Sequence, residues 1–202
     1  IGIQDSGGTL VRVVQGSGSV GLNRVVWDLR HQPVPHDTII FDVPSLDVGP
    51  RGPLVLPGNY RAYFMGALEH IGESGTTDVK VLWDPLNPLS EAQARYDFTM
   101  ELYALQQLGY HAQVQAGQLE KAAQEAVDEF LEEQGVEEDA ALDSLTAELE
   151  EVADALRGRN SDLRGWWRGL IGEFDGGPSV IGSMTGPNES QQQRLIWTQE
   201  QF

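Results

Sequence analysis

The chain has 202 residues, 40% of them hydrophobic, with no cysteine and a formal net charge of −18 at pH 7. The lack of cysteine excludes disulfide bonds, thiolate metal sites and cysteine nucleophiles. The acidity disfavours nucleic acids and anionic membrane surfaces as partners, because binding to phosphates requires basic patches. No apolar run is long enough to cross a bilayer, and a start at Ile1 without a signal peptide indicates a mature or excised part of a longer protein.

Residues 1–83 alternate short apolar runs with turn residues, a pattern typical of a small antiparallel β-sandwich. The segment 5–8 (Asp-Ser-Gly-Gly) is predicted to be a turn. The segment 16–21 matches the three-glycine dinucleotide pattern, but a strand follows it where a helix N-terminus is required, so we favour a hairpin loop. Strands are predicted at about 1–3, 9–15, 23–29, 61–65 and 77–83.

The stretch between Arg30 and Pro57 is rich in proline and aspartate and is predicted to be a long surface loop. It contains His31 and His36 among several carboxylates. A metal site here is disfavoured, because neither helical nor strand spacing brings these side chains together. The apolar residues 39–41 are expected to pack against the sheet or a partner, and loops of this length often carry binding function.

Several ordered segments of this half carry a family resemblance: 21–30 (GLNRVVWDLR), 52–60 (GPLVLPGNY), and 79–81 followed by Asp84-Pro85. Together with the turn at 5–8, they resemble the C-terminal region of bacterial sortilin-like, BNR-repeat β-propeller proteins. That family carries an FlgD-like, immunoglobulin-type (Ig-like) module after the propeller, followed by a helical segment. The resemblance implies a bacterial protein outside the cytoplasm, periplasmic or secreted. The propeller itself is not part of this sequence.

The same resemblance implies structural roles for residues near the middle of the sandwich. Trp27 is expected to be its central aromatic residue, with Val25 and Leu29 on the same face of a strand. Asp28 and Asn23 are expected to satisfy backbone groups of turns and loops.

Gly58 and Tyr60 are also expected to be structural residues. Gly58 is expected to supply a positive φ in the turn before Tyr60. In an alternative interpretation, Trp27, Tyr60 or Tyr63 forms part of a surface on which sugar rings stack.

A very long helix is predicted over 90–134. Its apolar or small residues recur at alternating steps of four and three, which indicates the heptad seam of a helix packed on other helices. Ser90 and Gln93 match a capping box, and Gly135 supplies a stop. At 1.5 Å per residue this helix would be about 65 Å long. The seam residues are Phe98, Leu102, Leu105, Gly109, Ala112, Ala116, Leu119, Ala123, Ala126 and Phe130.

The helix becomes acidic after Gly117, with pairs such as Asp128 and Glu132 at helix-neighbour spacing. Such pairs are compatible with a di-metal or glycosidase site. A solvated face is favoured instead, because the sequence has no Glu-x-x-His pair and these carboxylates lie mainly off the apolar seam. No cofactor and no metal are predicted.

Further helices are expected after Gly135, returning along the first one, and Asn188 is expected to cap the last of them. The predicted fold class is therefore α+β in two parts: an antiparallel Ig-like β-sandwich over 1–84, then an antiparallel helical bundle over 85–202 with one very long first helix. The helices are predicted at about 90–134, 139–157, 161–174 and 188–202.

No catalytic constellation is present, so the sequence predicts a non-enzymatic accessory or scaffold module that acts through protein contacts. The partner is expected to be an upstream propeller or subunits of a larger assembly. The alternatives are a C-terminal support domain of a propeller hydrolase and a carbohydrate-binding module. The candidate partner contacts are the apolar residues expected on the outer flanks of the last two helices: Trp166, Ile171, Ile196 and Trp197.

Overall fold

The computed structural model has an α+β architecture, with a four-stranded antiparallel sheet near the N-terminus and one long helix after it. The structure describes residues 1–35, 51–65, 75–86, 88–134, 144, 147, 148, 150–152, 154, 155, 173, 176, 177, 180, 181 and 185–200. The described elements are β1 (Gly2–Asp5), β2 (Leu10–Val13), β3 (Gly58–Tyr63), β4 (Thr76–Val81), α1 (Leu89–Gln134), β5 (Gly176–Gly177), β6 (Val180–Ile181) and α2 (Glu189–Glu200).

The sheet has the strand order β2-β1-β3-β4, and every pairing is antiparallel. The predicted turn at 5–8 connects β1 to β2, and this prediction is confirmed. The carboxylate of Asp5 accepts hydrogen bonds from the backbone N–H groups of Gly7 and Thr9, each 2.9 Å long. Gly8 adopts a φ of 84°, a conformation that residues with a Cβ rarely adopt.

One face of the sheet contributes to the core. Ile3 pairs with Arg12 on β2 and with Ala62 on β3, so these residues share a face. Ile3 and Val11 are buried, whereas Leu10 and Val13 are exposed. Among the described residues of 1–84 no second sheet faces this one, so the Ig-like sandwich stays a prediction.

The predicted strand at 23–29 is wrong, because these residues form no strand in the structure. Leu29 has a φ of 59° and is exposed, which interrupts the extended backbone that a strand requires. The indole N–H of Trp27 donates to the carbonyl of Arg30 over 3.0 Å, so the chain folds back locally. Directly after this segment, Arg30 forms an isolated antiparallel bridge with Leu54.

The prediction of a positive φ at Gly58 is also wrong. Gly58 is the first residue of β3 and pairs with Val81 of β4, so it lies in extended backbone rather than in a turn. Along β4 and beyond it, Val79, Val81 and Trp83 are half-buried while Lys80 and Leu82 are exposed, which is the alternation expected of a strand with one packed face.

Helix α1 confirms the predicted long helix, with its start one residue earlier than expected. It has 46 residues, which corresponds to about 69 Å at 1.5 Å per residue. The predicted capping box is wrong: Ser90 lies within the first turn, and the amide of Gln93 donates to Asp97 over 2.8 Å. The carbonyl of Pro88 instead accepts from the N–H of Glu91 over 3.2 Å.

Burial along the predicted seam of α1 changes with position. Phe98 and Gly109 are buried, and Leu102 is 0% exposed. Leu119, three turns beyond Gly109, is 69% exposed. The first half of the helix is therefore the part that packs against described elements.

Helix α2 lies beside the beginning of α1. The N–H of Gly186, just before α2, donates to Glu91 over 2.7 Å, and the amide of Gln199 near its end reaches Glu101 over 3.4 Å. Both helices therefore run in the same direction, and the predicted antiparallel arrangement is wrong for this pair. No residue spacing in the sequence indicates the relative direction of these two helices.

The remaining predicted helices are only partly described. The described residues between 144 and 155 are helical, in agreement with the predicted helix at 139–157. Within the predicted helix at 161–174 only Glu173 is described, and it is helical. Within the glycine-rich stretch 176–187, β5 and β6 pair, with Gly176 opposite Ile181. The boundary between two domains near residue 84 stays a prediction.

Candidate functional site

Helix α2 has one buried and one exposed side. Gln191, Leu195 and Thr198 are buried and recur at steps of four and three, so they share one side of the helix. The helical period turns Ile196 and Trp197 away from that side. Ile196 is 55% exposed and Trp197 is 45% exposed.

A reciprocal cap defines the start of α2. The side-chain oxygen of Asn188 accepts from the N–H of Gln191, and the side-chain oxygen of Gln191 accepts from the N–H of Asn188, each over 2.9 Å. This confirms the prediction that Asn188 caps the last helix. The Asn188 side chain is therefore engaged in the cap.

Close packing and polar contacts attach α2 to its surroundings. A Cβ on Gly186 would lie 2.9 Å from the Cβ of Ala94, so the chain passes tightly against α1 at this point. The carboxylate of Glu173 accepts two hydrogen bonds from Arg194, each 2.9 Å, and one from Gln191. These hydrogen bonds, first that of Gln191 and then those of Arg194, lower the pKa of Glu173.

The four candidate partner contacts have different outcomes. Ile196 and Trp197 lie on the exposed side of α2, as the partner hypothesis requires. Trp166 and Ile171 lie outside the described residues. The described candidate surface therefore consists of Ile196 and Trp197, here called the α2 apolar pair.

A second cluster of side chains joins the sheet region to α1. The Nε2 atom of His31 lies 3.2 Å from the hydroxyl oxygen of Tyr96. The hydroxyl of Tyr103 donates to the backbone carbonyl of Gln32 over 2.6 Å. The ring of His31 lies 5.8 Å from that of Tyr96 and 6.3 Å from that of Tyr103, measured between centroids. We call these four residues the His31 junction.

Arg12 of β2 supports the His31 junction from the sheet side. Its Nη1 donates to the carbonyl of His31 over 3.1 Å, and its Nη2 lies 3.9 Å from the carboxylate of Asp28. Its Nε is buried and makes no hydrogen bond among the described residues. The backbone of His31 is held as well, because its N–H donates to the carbonyl of Pro53 over 2.9 Å.

Burial shifts the acidity of the groups in the His31 junction. It lowers the pKa of His31, and the nearby carboxylate of Asp5 opposes this effect only in part. Burial also raises the pKa values of Tyr96 and Tyr103. At neutral pH the junction is therefore a contact between an uncharged imidazole and two uncharged phenols.

Trp27, predicted as the central aromatic residue of the sandwich, packs against Tyr60, and both are only half-buried. The rings of Trp27 and Tyr60 meet edge to face, with centroids 5.3 Å apart. The hydroxyl of Tyr60 donates to the carbonyl of Leu56 over 2.6 Å. Since the indole N–H of Trp27 is also used within the chain, the polar atoms of both rings stabilise the local fold.

The predicted backbone contacts of Asn23 and Asp28 are confirmed. The amide of Asn23 donates to the carbonyls of Ser19, over 2.8 Å, and Gly21, over 3.2 Å. The carboxylate of Asp28 accepts from the N–H of Arg30 over 3.2 Å. Both side chains satisfy backbone groups in irregular segments.

Metal binding and membrane insertion are two other functions to consider for the described part of the chain. There, no group of three or more histidine, aspartate or glutamate side chains is arranged to hold a metal ion. His36, which formed part of the metal hypothesis, lies outside the described residues. Among the helices that the structure describes, none combines the length and apolar character that crossing a membrane requires.

No protein-family model, curated protein or solved structure matches this chain. The resemblance to sortilin-like propeller proteins consequently rests on the sequence segments alone.

The sequence interpretation missed the His31 junction. It treated His31 as part of a surface loop and did not single out Tyr96 or Tyr103. A usable signal was present, because these two tyrosines are seven residues apart and therefore share one side of the predicted helix. That signal predicts a shared contact surface, but it does not identify residue 31 as the partner.

Proposed function

We propose that this chain is a non-catalytic accessory or scaffold module that acts through protein–protein contacts, as part of a larger protein or assembly outside the cytoplasm. The extracytoplasmic location rests on the resemblance of segments 21–30 and 52–60 to the propeller-associated module. We also propose that the sheet belongs to an Ig-like β-sandwich over 1–84, followed by a helical bundle over 85–202.

The observation that carries this proposal is the exposure of the α2 apolar pair on an anchored helix. A tryptophan and an isoleucine with about half of their surface in water bury substantial apolar area when a partner covers them. Aromatic residues are enriched among the residues that dominate binding energy at protein interfaces. Since Leu195 and Thr198 hold the opposite side of α2 against the protein, the pair is presented on a pre-organised surface.

The charge of the chain supports a particular kind of partner surface. The formal net charge is −18, and Glu189 and Glu200 lie at the two ends of α2. An apolar patch with an acidic rim complements an apolar patch with a basic rim, which also steers association. We therefore propose a protein partner with lysine or arginine around its apolar contact.

The carbohydrate-binding alternative receives less support from the geometry. Sugar-binding sites present an open aromatic face together with unused polar groups. The polar atoms of Trp27 and Tyr60 are both engaged within the chain, and their rings pack against each other. Tyr63 has its ring tip 2.6 Å from where a Cβ on Gly2 would lie, so it covers the sheet rather than standing clear of it.

The proposal is tested by isolating the tagged native protein from its source and identifying co-purifying proteins by mass spectrometry. We expect a partner in stoichiometric amount that is lost when Ile196→Ser and Trp197→Ser are combined. The matched control combines Leu108→Ser and Leu119→Ser, because these residues of α1 are also exposed apolar side chains. The control should retain the partner.

Two results would contradict the proposal. Equal loss of the partner in both double variants would show that binding does not depend on the α2 apolar pair. Recovery of a longer polypeptide with a propeller and hydrolase activity would favour the alternative of a support domain. The double variant Trp166→Ser with Ile171→Ser tests the two remaining candidate contacts in the same assay.

A further inference from the structure

The His31 junction connects two parts of the chain through adjacent residues. His31 meets Tyr96, and the next residue, Gln32, accepts the hydrogen bond of Tyr103. Because these tyrosines lie two turns apart on α1, they hold a single side of the helix against one short segment. A change at the His31 ring therefore acts at the point where α1 is attached to the sheet region.

We propose that this attachment is sensitive to pH, and that protonation of His31 loosens the contact between α1 and the sheet region under mildly acidic conditions. Histidine is the side chain whose ordinary titration lies nearest to physiological pH, whereas tyrosine and arginine keep one charge state throughout that range. His31 therefore supplies the change of charge at this contact.

Charged and titratable groups lie around His31 on the described elements packed against it. The carboxylate of Asp5 favours the protonated ring, but it already accepts hydrogen bonds from Gly7 and Thr9. Arg12 places a guanidinium against the carbonyl of His31. The groups that interact with His31 are Asp5 on β1, Arg12 on β2, and Tyr96 and Tyr103 on α1. Asp28 contacts Arg12, and Tyr60 on β3 interacts with Asp5 and Tyr96.

The balance among these groups opposes a charged imidazole in the attached state. Burial between two phenol rings removes water from the ring, and this loss of hydration outweighs the attraction of Asp5. The guanidinium of Arg12 is partly neutralised by Asp28, although the two groups are 3.9 Å apart. Release of α1 returns the imidazole to water, where the charged form is stable.

The sign of the pH dependence follows from this difference. The attached state has the lower His31 pKa, so it binds fewer protons than the released state. Above the ordinary histidine pKa of about 6.5, both states are neutral and the contact is at full strength. As the pH falls below that value the released state gains protons first, and the contact weakens.

Amide hydrogen exchange measured by mass spectrometry on the full chain tests this proposal. Rates are compared at about pH 7.5 and about pH 5.5, after correction for the intrinsic effect of pH on exchange. We expect protection of peptides within 89–105 to fall by about three- to tenfold at the lower pH, relative to peptides within 1–14. Unchanged relative protection would overturn the proposal.

Two variants assign the effect to one side chain. His31→Gln keeps a polar side chain that cannot gain a proton, so its relative protection should not differ between the two pH values. His111→Gln is the matched control, because His111 is an exposed histidine on the same helix, and it should respond like the unmodified protein. A His31→Gln protein that still loses protection at low pH would contradict the assignment.

A titration of the unmodified protein by NMR gives an independent result even if His31→Gln fails to fold. The ring signals of His31 should titrate below the ordinary pKa of about 6.5. The amide signals of Tyr96 and Tyr103 should shift in the same titration. An ordinary pKa for His31, or tyrosine signals that do not respond, would overturn the proposal.

Discussion

Asn188 and Gln191 cap each other at the start of α2, with each side-chain oxygen accepting from the other residue's backbone N–H over 2.9 Å. This pairing satisfies two of the backbone donors that a helix N-terminus leaves without partners. It determines where α2 begins, and thereby where the α2 apolar pair is presented. The sequence pattern that predicts this cap involves only residues at the start of the helix.

Loss of this cap should destabilise the protein by about 1 kcal/mol, because Asn188→Ala leaves the N–H of Gln191 without its acceptor. Urea unfolding followed by circular dichroism measures the change in the free energy of unfolding. Asn188→Asp keeps a side-chain oxygen at the cap and should remain close to the unmodified protein. Equal losses in both variants would show that the cap is not the cause.

Leu102 should be a major contributor to the core between α1 and its neighbours. It is 0% exposed, so Leu102→Ala removes fully buried methyl groups and should cost about 2–5 kcal/mol of unfolding free energy. Leu119→Ala on the same helix should change stability by less than about 0.5 kcal/mol, because Leu119 is 69% exposed. Similar effects of the two substitutions would contradict the described packing of α1.

Gly52 should tolerate no side chain. A Cβ at this position would overlap the carbonyl oxygen of His31, and backbone atoms cannot move aside cheaply. Gly52→Ala should therefore cost about 1–3 kcal/mol, measured by thermal unfolding. At Gly58, a Cβ would have its nearest neighbour at 3.8 Å, so Gly58→Ala is the matched control and should be nearly neutral. A Gly52→Ala protein with unchanged thermal stability would contradict the close approach of Gly52 to the backbone of His31.

The contact between Glu173 and α2 should depend on pH. Hydrogen bonds from Gln191 and Arg194 lower the pKa of Glu173 in the folded protein. The resulting stability is present above the ordinary glutamate pKa of about 4.3 and is lost as pH falls through the lower, folded value. The effect should be small, because both ion-pair side chains are 40% or more exposed.

Glu173→Gln tests this pH dependence by removing the titrating group. The unmodified protein should be the more stable of the two at pH 7, and the difference should shrink as the pH is lowered to about 3. Unfolding temperatures measured across this range provide the comparison. A difference that does not change with pH would mean that ionisation of Glu173 contributes nothing to the attachment of α2.

Features encoded by neighbouring residues were predictable from the sequence. The length of α1 follows from a heptad pattern sustained over ten positions, and the β1–β2 turn follows from an aspartate before two glycines. The cap at Asn188 depends on residues three apart. In each case the interactions that determine the element join residues close together in the sequence, so residue spacing predicts the element.

Features that depend on distant contacts were not predictable in the same way. Residues 23–29 have the composition of a strand, but a distant segment holds their end. The carbonyl of Leu29 accepts from the N–H of Val55 over 2.9 Å, and Arg30 forms a bridge with Leu54. The contact between His31 and Tyr96 joins residues 65 positions apart. Likewise, the direction of α2 follows from contacts with Glu91 and Glu101, which no periodicity encodes.

The most direct test of the proposed scaffold function is site-specific photo-crosslinking in the native cell. A photo-reactive amino acid replaces Ile196 in the full protein, and Leu119 is replaced in a parallel control, because it is an even more exposed apolar residue. The proposal predicts one discrete crosslinked protein from position 196 and none from position 119. No product at 196, or the same products from both positions, would contradict a partner surface on α2.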